Sequence, residues 1–206
     1  MKSTHAIAIG LLSLSAACSA FAQDQVFTAT LLGSNESPAN NSAGTGLATV
    51  TLDPQQFSMH VQASFSGLSG TATMAHIHCC TAQPNMGTAG VAFGFPSFPT
   101  GITAGTYDNT FDLSQAGNWN ATFFNAHGGT IGTAFTALGK VLGNGTAYVN
   151  IHSTAFPGGE LRGNLTAAVP EPETSALALV GLLSLAGMCQ RRKAKASSNR
   201  QAAAAS

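Results

Sequence analysis

The sequence predicts an all-β protein, an antiparallel β-sandwich with a short helical insertion. Three observations carry that prediction. Runs in which apolar and polar residues alternate recur along the chain, the pattern of strands buried on one face. Turn-forming groups such as Asp53-Pro54 and Pro157-Gly158-Gly159 separate them. Between Ser114 and Leu142 the large apolar residues change to helical spacing.

Residues 26–32, 46–52 and 57–65 give the first three strands. In the third, Phe57, Met59, Val61, Ala63 and Phe65 alternate with Ser58, His60, Gln62 and Ser64, which leaves His60 on the solvent face. Residues 72–80 form the next strand, and 91–95 and 106–113 form two shorter ones. Trp119, Phe123 and Phe124, then Ile131, Phe135, Leu138 and Leu142, mark two short helices on either side of Gly128-Gly129. His127 is a loop residue in this scheme. Gly143-Asn144-Gly145 returns the chain to strand, and 147–153 with 160–165 make the final pair.

The two ends are processing signals in their composition. Residues 1–22 read as a secretory signal peptide, with Lys2, an apolar run over 6–17, and a cleavage site at Ala20-Phe21-Ala22. Cys18 offers a lipoprotein alternative, against which Ser15 stands where leucine is usual. At the other end Val169-Pro170-Glu171-Pro172-Glu173 is a stiff, non-helical spacer. Residues 174–189 are almost wholly apolar, near the lower limit of about 17 residues for spanning a bilayer. Arg191-Arg192-Lys193 follows, a basic stop suited to the cytoplasmic side. The Ala/Ser-rich residues 196–206 form a disordered tail.

Pro170-Glu171-Pro172, the apolar helix and Arg191-Arg192 together resemble the PEP-CTERM sorting signal over residues 169–195. The resemblance implies a Gram-negative bacterium, transient anchoring in the inner membrane, and removal of the tail by an exosortase-type enzyme. It also implies delivery to the cell surface or extracellular matrix.

Residues 23–168 remain as one domain. The whole chain is formally neutral, but this part carries Asp24, Glu36, Asp53, Asp108, Asp112 and Glu160 against Lys140 and Arg162, a net charge near −4. Such a domain has no basic footprint for nucleic acid, which excludes that partner class. Its cysteines are the adjacent Cys79 and Cys80. Three readings compete for them in an oxidising compartment: a strained vicinal disulfide, placed first, an intermolecular bridge, or a thiolate beside a metal.

Two histidine-bearing strands stand out. In Ala75-His76-Ile77-His78-Cys79-Cys80, alternation places His76, His78 and Cys80 on one face. In Tyr148-Val149-Asn150-Ile151-His152, it places Tyr148, Asn150 and His152 on one face. Three imidazoles on one polar surface are a candidate metal site, because neutral imidazole suits copper and zinc. Asn150, Thr81 and Glu160 are the candidates for orienting the rings. The competing reading is structural, with imidazoles satisfying backbone groups at a sheet edge.

These strands, with Phe156-Pro157-Gly158-Gly159-Glu160-Leu161-Arg162-Gly163 and the opening 27–38, resemble the CHRD domain over roughly residues 26–166. The resemblance implies an extracellular, immunoglobulin-like β-sandwich with no established enzymatic role. His-x-His on one strand and a histidine on an antiparallel one are also similar to the copper half of Cu,Zn-superoxide dismutase. Carried over, His76, His78 and His152 are the copper-type ligands, with Cys80 a fourth candidate. The bridging histidine, the zinc-binding cluster and the guidance loop of that enzyme have no counterpart.

Glu160 and Arg162 share a face and read as a surface pair, and Asp108 and Asp112 read as solvated carboxylates. No Ser-His-Asp order, phosphate loop or paired-carboxylate arrangement stands out, so the protein is not expected to be an enzyme. The expected function is a non-catalytic binding or structural module at the surface or in a biofilm matrix. Its partners are then an extracellular polysaccharide or another surface protein. The alternative is an extracytoplasmic protein holding copper or zinc.

Overall fold

The computed structural model describes residues 23–168. The signal segment with Ala20 and Ala22, the sorting segment with Pro170, Glu171, Pro172, Arg191 and Arg192, and the tail lie outside the described residues. Eight strands run in the order β1 (Gln25–Leu32), β2 (Thr45–Asp53), β3 (Ser58–Ser66), β4 (Ala72–His78), β5 (Val91–Gly94) and β6 (Gly105–Asp112), then β7 (Asn144–Ser153) and β8 (Leu161–Ala167). Helices α1 (Ala121–Ala126) and α2 (Ile131–Gly143) fall between β6 and β7. No helix among the described residues is long and apolar enough to cross a membrane; the apolar segment 174–189 is not among them.

All strand pairings are antiparallel. The predicted sandwich is built from one continuous sheet, ordered β5-β4-β7-β8-β1-β2-β3-β6. The sheet folds over so that its two edge strands meet across the core. Phe93 of β5 lies 6.3 Å from Phe111 of β6, and Phe95 stacks on Tyr107 of β6 at 4.9 Å.

The alternation of β3 sets its register. Met59, Val61 and Ala63 pair with Leu52, Val50 and Ala48 of β2, and all six are buried. Leu31, Ile77, Val149, Ile151, Leu161 and Leu165 extend the same layer. Each such side chain contributes about 1.5–3 kcal/mol on burial. The helices close one end. Asn120 caps α1 by accepting from Phe123 N at 3.1 Å, and Thr130 Oγ1 caps α2 by accepting from Thr133 N at 3.3 Å. Helix α2 buries Ala134, Phe135, Leu138 and Leu142, with Phe135 edge-on to Phe57 at 5.3 Å.

Strand β7 departs from simple alternation, because both of its faces are buried over Ala147–Ser153. Its inner face carries Val149 and Ile151 into the core. Its outer face, with Tyr148, Asn150 and His152, is covered by the segment after β1, the loop after β4 and the Phe156–Gly159 turn. Asn40 Nδ2 bonds the Gly159 carbonyl, Ala89 N bonds Tyr148 Oη, and His152 Nδ1 bonds the Pro157 carbonyl. A second, polar layer therefore lies over the centre of the sheet.

Candidate metal centre

Strands β4 and β7 are neighbours, with Met74 opposite His152, His76 opposite Asn150, and His78 opposite Tyr148. His76 meets its diagonal neighbour His152 on the outer face, ring centroids 5.1 Å apart, and His78, one step further along β4, lies 6.4 Å from the same ring. The fold brings together the three imidazoles that the sequence singled out. One ring nitrogen from each lies within 4.8 Å of the others. His76 Nδ1 stands 3.3 Å from His152 Nε2. That is about the separation tetrahedral geometry gives two nitrogens each roughly 2.0–2.1 Å from a zinc ion.

The hydrogen bonds fix the tautomers. His78 Nδ1 lies 2.9 Å from the Ala89 carbonyl, and His152 Nδ1 lies 2.8 Å from the Pro157 carbonyl. A carbonyl oxygen accepts only, so both Nδ1 atoms carry hydrogen and both Nε2 atoms present a lone pair. His78 Nε2 is buried and has no hydrogen-bond partner in the protein. A ring held through one N–H with the other nitrogen free is the usual state of a metal-ligating histidine.

The electrostatics favour the neutral form of the His76 and His78 rings. Burial pushes His76 down to about 4 from 6.5, helped by the neighbouring His152 and His78. Burial also lowers His78; His152 and Arg162 push the same way, against the Ala89 hydrogen bond. Neutral imidazole is the form that binds a metal ion. Tyr148 stacks on the His78 ring, with centroids 4.8 Å apart and planes 6° from parallel, and the Arg162 guanidinium carbon sits 3.6 Å from the Tyr148 centroid. Residues from β4, β7 and β8 thus form one stack that holds His78.

Cys80 does not join this set. Strand β4 ends at His78, so the alternation that placed Cys80 beside the histidines stops there. Cys80 is exposed, and its sulfur is bonded to Cys79. Nor do the expected orienting residues hydrogen-bond the rings. Asn150 Nδ2 donates to Glu36 Oε1 and to the Leu161 carbonyl. Thr81 Oγ1 donates to the carbonyls of Gln83 and Thr146. Glu160 accepts from Ser42 Oγ, Ser69 N and Ser153 Oγ.

The expected surface pair of Glu160 and Arg162 is corrected in the same way. They are 0 % and 1 % exposed, because the outer face of the sheet here lies under loops, and each has its own partners. Arg162 Nη1 donates to the Gly87 carbonyl at 2.7 Å. His60 Nε2 lies 2.8 Å from Asp108 Oδ1, its diagonal neighbour across β3 and β6, and Gln62 Nε2 donates to Asp108 Oδ2. His127 is the C-cap of α1, its Nδ1 donating to the Phe123 carbonyl. The groups that sequence reasoning missed are Tyr148, whose stacking follows from its register opposite His78, and the carbonyls of Ala89 and Pro157. Backbone atoms leave no mark in a side-chain pattern.

Comparison with protein-family models gives two matches. The CHRD domain matches residues 27–165, and the PEP-CTERM protein-sorting motif matches residues 168–193. No curated protein and no solved structure matches the chain. The sorting motif marks a bacterial protein that is exported to the cell surface by the exosortase route. The CHRD match takes in β2 to β7 with both helices, and all but the outer ends of β1 and β8, the three histidines among them, and the chain belongs to the CHRD domain family.

Proposed function

We propose that this protein is an exported, non-catalytic surface module that holds a single copper or zinc ion on His76, His78 and His152. One observation carries the reading. His78 and His152 each tie up Nδ1–H on a backbone carbonyl, and one ring nitrogen of each stands in one cluster with His76. The alternative, three imidazoles serving only to satisfy backbone groups, accounts for the Nδ1 bonds. It gives no account of the buried, unpartnered Nε2 of His78.

Three nitrogen ligands leave room for water or a donor from a partner in a fourth position. Among the described residues no second cluster of histidine, cysteine or carboxylate could hold another ion. The amino-terminal signal segment, cleaved after Ala22, and transient inner-membrane anchoring in a Gram-negative cell complete the proposal.

The test is the metal content of the purified full-length protein after equilibration with copper or zinc and removal of free ion. The expected result is close to one ion per chain, lost in His78→Ala with the fold retained by circular dichroism. A wild-type protein that stays metal-free under those conditions contradicts the reading.

A further inference from the structure

Arg162 is buried to 1 % exposure and forms no ion pair, since no described carboxylate reaches the guanidinium. Its Nη1 is used by the Gly87 carbonyl and its face by Tyr148. Its Nε and Nη2 are buried without a hydrogen-bond partner. A buried charge with two idle donors is unusual, because burial is costly unless the charge is matched. Those two nitrogens form one side of the guanidinium, the parallel pair that grips a carboxylate in bidentate fashion.

Arg162 lines an open pocket of about 490 Å³ between the start of the β1–β2 connection and the loop after β4. Its other walls include Ser34, Asn35, Glu36 and Asn164, hydroxyl, amide and carboxyl groups suited to a ligand rich in hydroxyls. We propose that this pocket binds a hydroxylated monocarboxylate, a uronic acid unit of an acidic polysaccharide, with its carboxylate on the free side of Arg162. Glu36 decides between anions. It lines the same pocket, so a dianionic phosphate meets more repulsion there than a single carboxylate. The idle nitrogens are buried beneath the loop that carries Met86 and Gly87, so binding requires that loop to shift.

The site adjoins the histidine cluster through Tyr148, which stacks on both Arg162 and His78, but a carboxylate on the free side of Arg162 needs no metal. Calorimetric titration of the full-length protein with galacturonate, galactose and inorganic phosphate tests it. Galacturonate is expected to bind at least roughly tenfold more tightly than either of the others, the discrimination of a charge-assisted hydrogen-bond pair. Binding is expected to fall by a similar factor in Arg162→Lys, which keeps the charge but loses the fork. It is expected to fall also in Ser34→Phe, which fills the pocket from an exposed position that Arg162 does not need in order to fold. It is expected to persist in His76→Ala, which breaks the imidazole set. No binding of galacturonate at millimolar concentration overturns the proposal. So does equal binding of galactose or phosphate, undiminished binding in either pocket variant, or loss in His76→Ala.

Discussion

His78 is the most constrained of the three imidazoles: Tyr148 covers one face of its ring, and the Ala89 carbonyl holds Nδ1. Tyr148→Ala removes the stack from both His78 and Arg162. By analogy with other buried aromatic truncations it is expected to cost about 3–5 kcal/mol in denaturant unfolding. Tyr148→Phe keeps the stack and loses only the bond from Ala89 N. It is expected to lower metal affinity less than the roughly 10–100-fold typical of lost outer-shell support. The depressed pKa of His76 sets a pH dependence. The folded form holds this ring neutral down to about 4, whereas the unfolded chain protonates it near 6.5. The unfolded state therefore binds more protons between those values, and stability rises with pH across them. Thermal melts of metal-free protein are expected to fall as pH drops from 6.5 toward 4. His76→Gln is expected to flatten that slope; an unchanged slope places the titration elsewhere.

At the scale of elements, the strands were legible because each core strand alternates, and Met59, Val61 and Ala63 of β3 fall buried where the pattern puts them. The helical insertion was legible for a parallel reason, since Phe135, Leu138 and Leu142 of α2 keep a helical period. Thr130→Ala should weaken α2 at its N-cap by about 0.5–2 kcal/mol, measured in urea unfolding. The outer face of β7 was not legible. Its polar residues read as solvent-facing, and only tertiary structure lays loops over them. The turn that presents Pro157 to His152 shows how local that covering is. Phe156 N bonds Ser153 Oγ, whose hydroxyl in turn donates to Glu160. Gly159 has φ of +134°, and a Cβ there would stand 2.6 Å from both Asn150 Nδ2 and Glu36 Oε1. Gly159→Ala is expected to destabilise the domain and loosen the turn together, seen as a lower melting temperature and weaker metal binding in the same protein.

Over the whole molecule, one antiparallel sheet supplies both the core and the polar layer above it, and the histidines sit in that upper layer. The candidate site was half legible: His76, His78 and His152 follow from alternation and strand order. Cys80 was misplaced because the strand ends before it, and Arg162 because burial under a loop has no sequence period. The PEP-CTERM motif over residues 168–193 carries the address. Deleting residues 169–206 is expected to abolish surface delivery, read by immunodetection on intact cells, while unchanged delivery contradicts the sorting role.

The central claim is that three imidazoles converge on one ion. X-ray absorption of the copper- or zinc-loaded protein tests it most directly. The expected spectrum shows imidazole scattering from three nitrogens at about 2.0–2.1 Å and no sulfur. A sulfur shell near roughly 2.3 Å, or a first shell without imidazole scattering, would contradict it.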